Sequence, residues 1–164
     1  MKNLPALTLT LLAAMAVPAL AQPHGAKQLD DAFTHAFNAN DLNAVVALYA
    51  PDATLYPPDG MEWRGIDAIR RGFTDLLSQN TVKDFRIQDA HYATSGDVST
   101  GWGRFTLTMV PKAGGAPIRM DGRATTVARR VRGKWLYVSD HASVPLSPPS
   151  PGFPRPASLP SDRR

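Results

Sequence analysis

"GRATTVARRVRGKWLYVSDHASVP", residues Gly122 to Pro145, reads as a single β-hairpin. Side-chain character alternates on both sides of Arg132-Gly133, a pair suited to a two-residue turn. That turn sets Val131 opposite Lys134, Val127 opposite Val138, Thr125 opposite Asp140 and Arg123 opposite Ala142. Alternation then gathers Asp121, Arg123, Thr125, Val127, Leu136, Val138, Asp140 and Ala142 on one face, expected to be concave. Met120, Ala124, Thr126, Trp135, Tyr137, Ser139 and His141 take the other. Asp140 and His141 are neighbours on a strand, so only one of them can enter a given cavity unless a bulge intervenes.

The same period of two runs upstream as far as residue 82. Strands are expected at 82–92, 98–110, 117–131 and 134–143, parted by turn residues at 95–97, 112–115 and 132–133. In the second of these Phe105, Leu107 and Met109 share the side expected to meet helices. Trp102, Arg104, Thr106 and Thr108 share the opposite one. Before Asn80 the period is helical, except over "DATLYPPDGMEWRG" at 52–65, which reads as a short strand and a turn. Leu29, Phe33, Ala36 and Phe37 form one stripe. Asn40-Asp41 caps a second helix carrying Leu42, Val45, Val46 and Tyr49, which Pro51 should stop. Ile66, Ile69, Phe73, Leu76 and Leu77 form the stripe of a third. Helices first and long antiparallel strands after argue for an α+β domain, its helices segregated to one face of a curved sheet.

The 164 residues divide into three parts. Residues 1–21 read as a signal peptide. Lys2 leads an apolar run from Leu4 to Val17, and Ala19-Leu20-Ala21 resembles a cleavage site. A folded domain is expected over 22–144. Residues 145–164 form a tail dense in proline, which excludes helix and central strand and favours an extended, solvated chain. This organisation implies a periplasmic or secreted protein, free of the membrane once the leader is removed. The formal charge of +4 sits mostly in the ends: Lys2 accounts for one, and Arg155, Arg163 and Arg164 against Asp162 for two more. No basic stripe with interleaved aromatics is present, so no nucleic-acid partner is expected. There is no Cys, which excludes thiol nucleophiles and thiolate metal sites. No HExxH and no pair of histidines at ligand spacing occurs, and no phosphate-binding glycine loop, so neither metal nor other cofactor is expected.

Asp140 is the leading candidate for acid–base chemistry. A carboxyl on a concave apolar face has its pKa raised by desolvation unless a cation compensates. Arg123 is placed as the diagonal cross-strand partner that could reach it. Asp121 falls on the same face nearer the rim. Tyr56 and Trp63 flank the turn at Pro57-Pro58-Asp59-Gly60 and could close a cavity. His141, Trp135, Tyr137 and Trp102 are expected outside, as an apolar patch for self-association.

Two helical stripes, "LYAPDATLYPP", "RGIDAIRRGF" and the closing "GKWLYVSDHASVP" together resemble the cone-shaped α+β fold of nuclear transport factor 2, ketosteroid isomerase and the SnoaL-like cyclases. The resemblance spans about 27–145 and is narrowest to bacterial members of unassigned activity. It implies a strongly bent sheet wrapped around helices, with a pocket open at one end. It also turns Phe105, Leu107, Met109, Val138 and Asp140 toward that pocket. The isomerase's base corresponds to Pro57, its oxyanion tyrosine to Phe33 and its neutral acid to about Thr125, so that enzyme's residues are not carried over. In the cyclases a carboxylate late on the final strand acts as acid–base, and Asp140 is the candidate for that place.

Two functions fit this reading. One is an exported protein that binds a small apolar or carbonyl-containing molecule in a hydrophobic pocket. It would act as a cofactor-free isomerase, cyclase or hydratase, with Asp140 and Arg123 catalytic and Tyr56, Trp63, Phe105, Leu107, Asp121, Thr125 and Val138 binding the ligand. The alternative is a non-catalytic homodimeric binding or interaction module.

Overall fold

A computed structural model describes residues 25–58 and 60–145. The expected signal peptide and nearly all of the proline-rich tail lie outside the described residues. Three helices, α1 (Ala26–Asn38), α2 (Leu42–Val46) and α3 (Ile66–Gln79), pack on a six-stranded sheet. Its strands are β1 (Tyr49–Tyr56), β2 (Trp63–Arg64), β3 (Asn80–Ser95), β4 (Val98–Pro111), β5 (Ile118–Val131) and β6 (Lys134–Ser143). The order across the sheet is β2-β1-β6-β5-β4-β3, with β1 and β6 parallel and every other pair antiparallel. This is the expected α+β arrangement.

α2 is shorter than its sequence stripe suggests. Asp41 caps it by accepting from the Ala44 amide at 2.9 Å, but the helix ends at Val46 and Tyr49 already belongs to β1. Pro51 therefore lies inside a strand. It falls where the β1–β6 register shifts, between Tyr49 and Thr54, the kind of irregular place where a residue without an N–H is tolerated.

β3 bends at two register shifts, Lys83/Arg86 and Gln88/His91. Asp84 and Asp89 sit there with φ of 53° and 50°, so each spends a left-handed conformation on a bulge that curls the strand over the helices. β3 is also an edge strand, and α1 covers part of that edge. The Asn38 side chain bonds both the N–H and the C=O of Phe85, at 2.8 and 2.9 Å. Asn40 does the same for Val82, at 2.7 and 2.9 Å. Two amides thus stand in for a missing neighbouring strand. The core beneath is aromatic: Phe33, Phe37, Phe73 and Phe85 meet with ring centroids 5.0 to 6.1 Å apart.

The last hairpin begins as expected. Arg132 and Gly133 both have positive φ, and Val131 pairs with Lys134 and Ala128 with Tyr137. The next pairing is Val127 with Ser139, which leaves Val138 as an extra residue on β6. All pairings beyond it move by one, so Thr125 faces His141, Thr126 faces Asp140 and Arg123 faces Ser143.

The assignment of faces needs correction as well. On β5 the even residues turn inward: Gly122, Thr126 and Ala128 are buried, whereas Asp121, Arg123 and Thr125 are exposed. On β6 Trp135 and Tyr137 are core residues, not part of an outer patch. Volume matching decides this. Tyr137 lies across from Ala128, and Gly122 lies beneath the Phe105 ring, where a Cβ would collide with it. Burying large rings against small partners outweighs burying Val127 and Leu136, which remain half-buried on the other face.

Candidate functional site

A cavity of about 520 Å³ lies between α1, α3 and the concave sheet face. Phe33, Phe37, Phe73 and Phe85 wall one part of it, and Phe105, Leu107, Met109 and Met120 another. Pro57, Pro58 and Trp63 also line it, together with Met61, which is 59% exposed and marks the open side. The expected inward side of β4 is as observed: Phe105 and Leu107 are buried while Trp102 is exposed.

Asp140 brings a carboxyl to this apolar wall, and the Val138 bulge is the cause. Strict alternation from Tyr137, which points in, would turn Ser139 inward, Asp140 outward and His141 inward. One extra residue shifts the parity, so Asp140 and Ala142 line the cavity and His141 stays exposed, edge-on to Tyr56 with ring centroids 6.1 Å apart. Asp140 accepts a hydrogen bond from Tyr49 Oη at 2.6 Å. Burial pushes its pKa up to about 6; the Tyr49 hydroxyl pulls the other way, the nearby charge of Asp30 adds to the rise, and His141 opposes it. The Tyr49 phenol is itself held well above its ordinary value by burial and by that carboxylate.

A second acid stands close by. Asp30 on α1 is 6% exposed and accepts from Tyr137 Oη at 2.5 Å and Tyr92 Oη at 3.0 Å. Burial raises its pKa, opposed by those two hydrogen bonds. The Tyr49 and Tyr137 rings pack 5.2 Å apart, so the two acid–tyrosine pairs touch. None of the ion pairs among the described residues involves either acid; all five lie at the surface. Nor do three His, Cys, Asp or Glu side chains converge anywhere among the described residues.

Of the residues singled out from sequence, the structure gathers Asp140, Trp63, Phe105 and Leu107 around the cavity. Arg123, Asp121 and Thr125 lie on the convex face because β5 has the opposite parity, and Asp121 bonds Arg119 there at 3.4 Å. The expected Asp140–Arg123 pair does not form; Tyr49 takes the place of the cation. Tyr56 is 39% exposed and turned away from the cavity, and Val138 is half-buried at the bulge. Of the four residues expected in an outer aromatic patch, Trp102 and His141 are outside, and His91 stacks on Trp102 at 5.7 Å. Sequence reasoning passed over Asp30, Tyr49, Tyr92 and Tyr137. Asp30 did carry a signal: Ala26, Leu29, Asp30, Phe33 and Phe37 share one helical face, and an acid inside an apolar stripe needs buried partners.

Solved structures of similar architecture come from several bacteria. A Xanthomonas campestris protein named as a candidate calcium/calmodulin-dependent protein kinase II association domain is 26% identical with a TM-score of 0.65, over 77% of this chain and 91% of that one. A Streptomyces avermitilis member of the NTF2-like family, named as a candidate dehydratase, is 19% identical at 0.66, over 74% and 94%. A ketosteroid isomerase-like protein from Erwinia carotovora atroseptica is 23% identical at 0.63, again over 74% and 94%. No curated protein matches the chain. The fold is therefore the NTF2-like cone. A family model of the SnoaL-like domain matches residues 31–138, more than half of the chain, and the protein belongs to the SnoaL-like domain family.

Proposed function

We propose that the protein binds a small apolar molecule bearing a carbonyl or hydroxyl group, and that Asp140 moves a proton on it. The observation that carries this reading is a carboxyl with a pKa of about 6, held by a single tyrosine, in the wall of an otherwise aromatic and aliphatic cavity. Cavities of this size suit drug-sized ligands, and apolar walls with one or two polar groups fix orientation while excluding water. An acid that titrates near neutrality is present in both protonation states, which is what a general acid–base requires. Isomerisation, cyclisation and hydration or dehydration each need a proton moved beside a carbonyl or onto a departing hydroxyl. The dehydratase and isomerase-like names of two structural neighbours fall within these classes. Tyr49 orients the Asp140 carboxyl, while Trp63, Phe105 and Leu107 contact the ligand's apolar body.

The test uses the full chain and a panel of apolar ketones with exchangeable α-protons. Thermal shift reports binding, since a ligand of the native state alone raises its stability. Proton-to-deuterium exchange on the ketone, followed by NMR in deuterated buffer, reports chemistry. Asp140→Asn should retain binding and lose exchange. Exchange undiminished in that variant removes Asp140 as the base, and a panel without a single stabilising compound removes the pocket reading.

A further inference from the structure

Beside the main cavity, and sharing Phe33, Phe85, Ala124 and Asp140 with it, lies a much smaller space of about 40 Å³. Its polar lining comes from Asp30, Thr126, Tyr137 and Asp140. Thr126 is 7% exposed, and its Oγ1 is the one buried side-chain oxygen among the described residues with no hydrogen-bond partner. Burying a hydroxyl unpaired is costly, and native proteins rarely tolerate it unless something occupies the adjoining space.

The annex is built by one row across the sheet. Tyr92, Gly101, Thr126 and Asp140 are successive cross-strand partners on β3, β4, β5 and β6. All four present to the concave side, where Asp30 reaches down from α1 to the Tyr92 and Tyr137 hydroxyls. Glycine is required in this row. A Cβ at Gly101 would stand 2.9 Å from Thr126 Oγ1 and 3.1 Å from Tyr92 Cε1. Its absence keeps a gap beside the threonine hydroxyl. The gap has room for one water, which needs only about 10–15 Å³ of this kind of volume and two to four polar partners.

We propose that the annex is a water site that joins Asp30 and Asp140 into one proton-sharing unit. The water accepts from Thr126 Oγ–H and donates one O–H to Asp140 and the other to Asp30. When Asp140 has taken a proton from a ligand, it passes that proton to the water while the water passes one of its own to Asp30. One proton moves from one carboxyl to the other and the water is regenerated. Asp30 is then a positioning residue and proton store for Asp140, not a group that touches the ligand. The groups facing Asp140 are Tyr49 from β1, Asp30 from α1 and Tyr137 from β6, with Tyr92 of β3 acting through Asp30 and His141 on the outer face. No lysine or arginine is among them. The relay has catalytic meaning only on the reading in the preceding section, but the water site is measured without any ligand, so the two can fail separately.

Three measurements on the full chain decide it. Thr126→Val keeps the shape and removes the hydroxyl. Selective carboxyl ¹³C labelling then reads the Asp140 titration midpoint. Loss of a water that donates to the ionised form should raise that midpoint by roughly one unit, and the melting temperature should fall or stay level. A dry annex gives the reverse, because removing an unpaired hydroxyl stabilises the fold. A raised melting temperature or an unmoved midpoint overturns the proposal. Asp30→Asn, which removes the neighbouring charge, should lower the midpoint; no change there overturns the coupling. Should either variant fail to fold, a high-resolution crystal structure of the unsubstituted protein decides. One ordered oxygen within hydrogen-bonding reach of Thr126 Oγ1 and both carboxyls is expected, and a void at that place overturns the site.

Discussion

Asp140→Asn should make the protein more stable at neutral pH, and the gain should depend on pH in a stated direction. Burial pushes the Asp140 pKa up to about 6 in the folded protein, against 3.8 for a solvated aspartate. Between those two values the folded state holds more protons than the unfolded chain, so acidification through that window favours folding. Above pH 6 the group carries its charge in a poorly solvated place. A rise of about two units at about 1.4 kcal/mol each gives a cost approaching 3 kcal/mol, fully expressed above the folded pKa. Asparagine keeps an acceptor for the Tyr49 hydroxyl and carries no charge. Urea unfolding of both proteins between about pH 4 and pH 8 would measure the difference. At about pH 7.5 the variant should be more stable by up to 3 kcal/mol, a midpoint shift on the order of 1–2 M urea. The gap should narrow toward about pH 4, where the native carboxyl is neutral too. A variant equally or less stable at neutral pH, or a gap that widens on acidification, would show that Asp140 is solvated or compensated and would refute the electrostatic reasoning. A carboxylate that destabilises its own fold is the expected signature of a group kept for chemistry rather than for packing.

Tyr49→Phe removes the hydroxyl 2.6 Å from Asp140 and with it a hydrogen bond to the charged form. The Asp140 midpoint, read by carboxyl NMR, should climb by about one unit or more. Gly122→Ala should cost about 1–3 kcal/mol in urea unfolding, since the added methyl meets the Phe105 ring and lies 2.5 Å from the Ser143 carbonyl oxygen; the same exchange at solvent-open Gly114 lacks that clash and should cost less, despite its positive φ.

Much of the architecture was legible because local chemistry determined it. Arg132-Gly133 could hardly be anything but a tight turn, and the period change near residue 80 falls where α3 ends and β3 begins. The inward face of β5 was not legible. Val127 and Thr125 look no less suited to a core edge than Ala124 and Thr126, and the choice is made by rings on other strands that need small residues beneath them. That information is pairwise and non-local. The Val138 bulge has no glycine or proline to mark it, so the position of Asp140 and the displacement of Arg123 follow from a register shift that residue types alone do not disclose. Asp30 is the opposite case, an acid set within the apolar stripe of Ala26, Leu29, Phe33 and Phe37, where the anomaly was on display.

The extra residue in β6 means that the chemical identity of the cavity wall is governed by spacing and not by composition. Were Val138 drawn into the regular pairing, with no residue replaced, every partner beyond it would slip by one and the strand's end would turn over. An imidazole would then look into the cavity where a carboxyl does now. Two chains of the same composition could thus present different titrating groups to this wall through the register of one strand, and an alignment scored by residue matches would pass over the event.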